Sequence, residues 1–600
     1  MKTMKKNRSK IRKYLFVDIL LFFLSIFTIR AQIVTVTQYD LSKIIPNWVA
    51  VLGGNVLCEP VRTSYGFTVI SEGRMLSAFT TNGTVLWQKS FSKNIRPFLS
   101  AGFSDMLFVI SGSSTLNMLN SGGKVVWSAD VGFDISGPVF QGKDGRIFVT
   151  GANKLACYGL SGIRRWCIDT DAQDSNNLPE ELNDGSLLVF LAKTEGGKST
   201  ASHVTPFGTT TETIIFSGKV QRAVSCSDGV LLTFTDGSAG LCTVDKGTAV
   251  SKWVVSSGTQ GITSPTYVSS TGFADGIALL VSGSPALVSI INTATGTSIH
   301  SYQTSSINAG TITFAACIPQ GILVADNKKA VCCRSNGTAI WEAKLSPQKD
   351  WTYLFPTDNG YLALCGTNWV IQAYRTSQSV GSAQISTFAE KRIGSYSAYY
   401  SKTMRTSSAI LGRAISPEES NLMYASFCKG DFAQNEADWM PVLENEFMQM
   451  ESSWNVAQTK DHLADEPYFN THLDYVEDLL NLAGVSGTAC FQGYISRMMK
   501  KVTDPSLQQC LIKTAGIIAF DSDGSMLASL ESVVHSISPR NQNTLKLVCD
   551  SVYSICSYMG RPAYFEYGQR ILTGMLYPQY DAKVRDYARD TLKKIAALKL

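Results

Sequence analysis

The sequence predicts a β-propeller followed by an α-helical domain, and three observations carry that reading. One short phrase recurs six times between residues 78 and 341: AFTTNGTVLW (78–87), MLNSGGKVVW (118–127), CYGLSGIRRW (157–166), CTVDKGTAVSKW (242–253), INTATGTSIH (291–300) and CCRSNGTAIW (332–341). Each copy reads as a strand, a Gly-bearing tight turn and a second strand ending in a large ring, and paired strands at a period near 40 residues are the signature of propeller blades. A second column is proline, at Pro60, Pro97, Pro138, Pro179, Pro265 and Pro356, spaced 37, 41, 41, 86 and 91 residues apart, so each of the last two intervals holds one unmarked blade. The third observation is a change of apolar period from 2 to 3.6 beyond residue 416.

The blades follow in order. Proline cannot donate to a sheet ladder, so it suits the start of a strand, and a DG or NG turn suits the hairpin after it. Four blades show that order, with DGRIFVT from Asp144, DGSLLVF from Asp184, DGIALLV from Asp275 and NGYLALC from Asn359. The unmarked blades fall at 220–253, with DGVLLTF from Asp228, and at 311–341, with QGILVAD from Gln320. A degraded strand pair at 206–216 completes the fourth blade, and 369–384 ends the eighth. The count is eight, with seven as the alternative.

Residues 1–31 read as a secretory signal peptide. Seven Lys and Arg between Lys2 and Lys13 precede an apolar stretch at 15–29, and Ala31 offers a small residue for cleavage. An uncleaved anchor is the alternative. The segment holds 8 of the 53 basic residues and one of the 48 acidic ones, which leaves 45 against 47, a net of −2, for the rest. A basic nucleic-acid-binding surface is therefore not expected. The 14 cysteines of an exported chain ordinarily suggest disulfides. However, Cys157, Cys242 and Cys332 share a phrase column with Met118 and Ala78, which marks buried apolar filler. Cys332 and Cys333 point to opposite faces of a strand.

Residues 377–408 are rich in Ser, Thr, Tyr and Gly and read as a linker that leaves the two domains to fold independently. The assigned spans are propeller 32–385, linker 386–415 and helical domain 416–600. Helices are expected from SPEES at Ser416, where Ser caps and Pro opens the first turn, and at 436–451, 470–482 and 489–501. Segments beginning at Thr503, Ser538 and Tyr580 align Leu507, Leu545 and Val584 in one column, at spacings of 38 and 39, with a further helix GSMLASLESVVHSI between the first two. From about residue 486 they resemble HEAT-type helical repeats.

The phrases LACYGLSGIRRW, GLCTVDKGTAVSKW and LVSIINTATGTSIH resemble the repeats of the pyrroloquinoline-quinone propeller family over residues 50–385. That resemblance implies that Trp87, Trp127, Trp166, Trp253 and Trp341 dock against neighbouring blades; His300 and Phe216 depart from the pattern. The family includes quinone-dependent dehydrogenases and non-catalytic envelope scaffolds such as the propeller subunit of the outer-membrane β-barrel assembly machine. The expectation is a non-catalytic, exported scaffold of the bacterial cell envelope, periplasmic or outer-membrane associated, linked to outer-membrane protein assembly or envelope organisation. It has protein partners and no cofactor, and it meets membrane at most through those partners or an uncleaved anchor. A quinone-dependent dehydrogenase and a ligand-sensing propeller are the alternatives.

No residue passes as catalytic, cofactor-binding or metal-ligating. Asp461, His462, Asp465, Glu466, His472 and Asp474 cluster, but the two His stand ten residues apart with Pro467 between, and ligation needs convergence on one point. His203, His300 and His535 stand without a neighbouring nucleophile motif. Gly53-Gly54 and Gly196-Gly197 lack the spacing and Lys of a phosphate loop. Arg164-Arg165 and Lys500-Lys501 read as solvated charges.

Overall fold

The structure is a computed structural model that describes residues 36–376 and most of 480–598, with short interruptions in both. The signal segment, the linker, the helices expected between 416 and 479 and the acidic–histidine cluster at 461–474 lie outside the described residues.

Eight antiparallel sheets follow one another: blade 1 (61–90), blade 2 (95–130), blade 3 (140–169), blade 4 (180–215), blade 5 (220–255), blade 6 (265–304), blade 7 (314–344) and blade 8 (353–375). The first strand of each lies innermost, because neighbouring blades meet through those strands. The prolines stand at or just before this strand in blades 1, 2, 3, 4, 6 and 8. The second strands are largely apolar because both faces pack on other blades; Gly66–Ser71 (GFTVIS) is buried at all six positions, and the exception is the exposed end of the blade 4 strand at 192–195. Seven blades is thus excluded.

The ring closes differently from the reading of 369–384 as the end of blade 8. The last described strand is Val370–Arg375, and the outermost strand of blade 8 is Trp48–Val51, which pairs antiparallel with it, Trp48 opposite Ala373 and Val51 opposite Val370. The N-terminal chain therefore supplies what the C-terminal end of the propeller lacks. Just before it, Thr37–Asp40 adds a fifth, parallel strand to blade 7, with Thr37 opposite Trp341.

The phrase turns are where blades lock together. Gly123 has φ +78°, a left-handed backbone that favours glycine, and an added Cβ would stand 2.5 Å from the Trp87 ring of the preceding blade. Gly162 meets Trp127, Gly208 meets Trp166, Gly296 meets Trp253, and Gly83 meets Trp48 across the closure in the same way. The indole N–H groups bridge the same seams, Trp87 Nε1 donating to Ser121 O at 2.9 Å and Trp166 Nε1 to Pro206 O at 3.0 Å. In blade 6 the docked ring is Tyr302 against Gly337, and His300 is exposed. In blade 4 the equivalent position is Glu212, whose Oε1 accepts from Ala249 N at 2.8 Å, so a hydrogen bond replaces the ring. One outer-strand residue is bulged out of the ladder just before this position in blades 1 to 7.

The cysteine column holds with one correction. Ala78, Met118, Cys157 and Cys332 face the docking Trp across the ladder and are fully buried, but in the longer phrase of blade 5 Leu241 takes that place. Cys242 is buried on the other face. Cys332 and Cys333 enter separate cores, as strand alternation requires. The twelve cysteines whose side chains are described are free thiols.

Six helices are described after the propeller: α1 (Cys490–Lys501), α2 (Pro505–Ile518), α3 (Ser525–Ser536), α4 (Gln542–Met559), α5 (Pro562–Gly574) and α6 (Ala582–Ala597). Side-chain caps start three of them, with Asp504, Asn541 and Asp581 each accepting from a backbone N–H of the first turn. Leu507, Leu545 and Val584, the aligned column, are all buried. α2, α4 and α6 pack side by side in one layer and α1, α3 and α5 in another, with the pairs α1–α2, α3–α4 and α5–α6 in contact.

The helices do not stand apart from the propeller. A single apolar core runs from Phe103, Met106, Phe108, Tyr158 and Leu160 of blades 2 and 3 into Phe520, Tyr558 and Met559. Such a shared core argues against independent folding of the two parts. The loops at the ends of α2 and α4 meet the turns on one face of these blades: Asn120 Nδ2 donates to Ser557 O at 2.7 Å and Ser121 Oγ to Met559 O at 3.0 Å.

Candidate functional site

Three places gather polar chemistry: the axis of the propeller, the junction with the helices and the core of blade 4 around His203. At the axis, Glu180 of blade 4 accepts on one carboxylate oxygen from Ser225 N at 2.9 Å and Ser225 Oγ at 2.5 Å of blade 5. Ser225 Oγ in turn accepts from Glu181 N at 2.9 Å. Burial pushes the Glu180 carboxyl up to about 7, against the Ser225 hydrogen bonds and the Arg222 guanidinium, which pull it down. Burial also raises Glu59 of blade 1, again opposed by Arg222 and by Arg62. Blades 1 and 5 face each other across a ring of eight, so Arg222 acting on both carboxylates places this mixed charge set in the central channel. A shallow groove opens beside it, lined by Arg62, Gly66, Thr81, Phe355, Pro356 and Thr357, with no enclosed room for a water molecule.

At the junction, Asp105 is the pivot. It is 4 % exposed, with φ +59°, and it accepts from Ser64 N of blade 1 at 2.9 Å, from Ser64 Oγ, and from Arg561 Nη2 at 2.8 Å. Arg561 Nε also donates to Ser104 O at 3.2 Å. One carboxylate thus ties two blades to the start of α5. Nearby, Leu160 O accepts from Trp127 Nε1 at 2.9 Å and from Tyr558 Oη at 2.7 Å, joining blade 2, blade 3 and α4 at one atom. Neither Asp105 nor Arg561 carries a sequence signal, since each belongs to a loop outside every repeat column.

The residues singled out from the sequence scatter. His203 is not isolated: its Nε2 lies 2.9 Å from Ser186 Oγ and its Nδ1 2.8 Å from Thr211 Oγ1, while Ser186 Oγ donates to Asp184 at 2.6 Å. This has the partners of a nucleophile relay, but Ser186 and His203 are both 0 % exposed, so no substrate reaches them. Burial also lowers the His203 pKa, as expected of a neutral core imidazole. His300 and His535 lie exposed and far apart in the fold. Gly196-Gly197 forms the tip of a hairpin, with φ of +57° and +78°. Arg165 corrects the solvated reading: it is fully buried, although it is the bulged residue opposite Cys157 and Tyr158, while Arg164 stays exposed. Among the described residues no group of His, Cys, Asp and Glu converges to hold a metal ion. No described helix is long and apolar enough to cross a membrane.

Comparison with known proteins bears on the propeller alone. Residues 72–204, from blade 1 into the third strand of blade 4, match a family model described as outer membrane protein assembly factor BamB. Similar solved structures include BamB from Moraxella catarrhalis, at 14% identity over 55% of this chain and 99% of that one, with a TM-score of 0.38. Sqt1 from Saccharomyces cerevisiae, at 9% over 56% and 100%, scores 0.40, and the computationally designed Ika8 protein, at 11% over 54% and 98%, scores 0.39. No curated protein matches the chain. Over residues 72–204, then, this eight-bladed propeller carries the BamB-like, pyrroloquinoline-quinone-type repeat.

Proposed function

We propose that the chain is a non-catalytic scaffold of the bacterial cell envelope that binds protein partners. On this reading it is exported by the segment 1–31, acts in the periplasm, and associates with the outer membrane through those partners. The observation that carries the reading is the BamB family match on blades 1 to 4. BamB is, by its description, an outer-membrane protein assembly factor, and the proposal extends an assembly role of that kind to this chain. Two features support it. The polar clusters of the described residues are spent on holding blades and helices together, as Asp105 and Glu180 are. The helical layers, which we take as HEAT-like repeats within a 416–600 domain after a 386–415 linker, add a second recognition surface rigidly joined to the propeller.

The test pairs two measurements on the full chain. Crosslinking in intact cells followed by mass spectrometry should recover outer-membrane assembly components and place the chain in the envelope fraction. Purified protein mixed with pyrroloquinoline quinone and Ca²⁺ should retain no stoichiometric quinone absorbance after gel filtration and should reduce no dye with alcohols or sugars. Retained quinone with dye reduction, or recovery in the cytoplasmic fraction, overturns the proposal.

A further inference from the structure

The outer edges of the eight blades are not alike. Natural edge strands are protected by charge, bulges or a covering segment, because their unpaired backbone groups otherwise recruit another strand. Seven outermost strands carry an ionisable side chain: Lys89, Asp130, Asp169, Glu212, Lys252, His300 and, on the strand covering blade 7, Asp40. The closing strand of blade 8, Trp48–Val51, has none, and residues 44–58 (IIPNWVAVLGGNVLC) contain no charge at all. It is unbulged against its inner neighbour, and among the described residues no fifth strand lies on it as one does on blade 7.

Its geometry suits another strand. Leu52 N donates to Trp369 O at 2.7 Å, so the alternation of an antiparallel ladder turns the backbone groups of Ala50 inward and those of Val49 and Val51 outward. The side chains of Val49 and Val51 are 50% and 72% exposed, and Trp369, held at φ +60° beside Val51, is 56% exposed.

We propose that this strand is a self-association edge, pairing antiparallel with the same strand of a second copy about a two-fold axis through Ala50. A second copy is the occupant that the register fits. A two-fold pairing centred on residue 50 sets Val49 of each chain opposite Val51 of the other, and these are the two residues whose N–H and C=O face outward. The interface is self-complementary in hydrogen bonds and in Val–Val contacts, as a two-fold interface must be. No like charges meet across the axis, since the segment has none. The described helices share their core with blades 2 and 3 and not with blade 8.

Light scattering coupled to size exclusion, run on the full chain over a range of concentrations, tests this. The expected result is a concentration-dependent, twofold rise in mass. Val49→Lys and Val51→Pro should abolish it; the Val51 N–H faces away from the blade, so proline there keeps the intrachain ladder while removing an intermolecular donor. Val85→Lys, on the outer strand of blade 1, should leave the dimer intact. Should either variant fail to fold, hydrogen exchange on the unaltered chain decides, with the Val49 and Val51 amides slowing as dimer forms. A monomer at all concentrations, a dimer that survives both variants, or amides that exchange freely in the dimer overturns the proposal.

Discussion

Trp127→Ala is the perturbation that reports most directly on how the propeller and the helices are joined. The Trp127 ring lies on the Gly162 turn of blade 3, packs against the shared core of blades and helices, and donates to Leu160 O, the acceptor of Tyr558 Oη. Large-to-small changes in a core cost about 3–5 kcal/mol. The ring is only partly buried, so about 2–4 kcal/mol is expected. Part of that loss falls on the helices, because the turn that receives Tyr558 loses its support. Trp253→Ala is the matched control: its ring caps Gly296 and its Nε1 bonds Thr293 O at 2.8 Å, on a seam remote from the helices. Urea unfolding followed by helical circular dichroism at 222 nm and by tryptophan fluorescence separates the two effects. Trp127→Ala should lower both midpoints together, and Trp253→Ala should affect the helical signal less. If Trp127→Ala moves the fluorescence transition and leaves the helical one in place, the shared core does not couple the parts, and the linker reading of independent domains stands.

Further outcomes follow from individual groups. Arg561→Ala leaves Asp105 buried with only Ser64 as donor and should cost about 2–4 kcal/mol, read as a lower urea midpoint, whereas Asp105→Asn with Arg561 intact should cost less. Tyr558→Phe removes one buried hydrogen bond and should cost about 1 kcal/mol, and more in a Trp127→Phe background, where it removes the remaining side-chain donor to Leu160 O. Glu180 has a folded pKa of about 7, raised above its unfolded value, so its stabilising share is present at acid pH and is lost as pH rises through 7. Glu180→Gln should therefore gain about 2 kcal/mol at pH 8 and nothing at pH 4, allowing for partial solvent screening; equal pH slopes in both proteins would refute the assignment. Denatured protein should titrate as mostly free thiols, and mass mapping that finds four or more bridges would overturn the reading of the cysteines as core filler.

The sequence by itself determined the repeat architecture: the Gly turns, the docking Trp residues, the proline column and the eight-blade count are each visible within about 40 residues. The reason is physical. Every blade solves the same local problem, a hairpin whose ring must cover the next turn, so the solution recurs at a fixed spacing. The aligned column of Leu507, Leu545 and Val584 was legible for the same reason. Only the tertiary structure decided the rest. Blade 8 closes with Trp48–Val51, more than 300 residues from its partner strand, and no spacing rule marks a strand that occurs once. Substitutes within the pattern, such as Glu212 for a ring and Tyr302 for His300, appear only when the opposing turn is in place. Arg165 is buried at a bulge whose counterparts Leu86 and Ile299 in blades 1 and 6 are exposed, so the repeat column does not mark it. The shared core with the helices joins Leu160 to Tyr558 and Asp105 to Arg561, single contacts between distant loops, each fixed by shape and charge complementarity that exists only once both surfaces have folded.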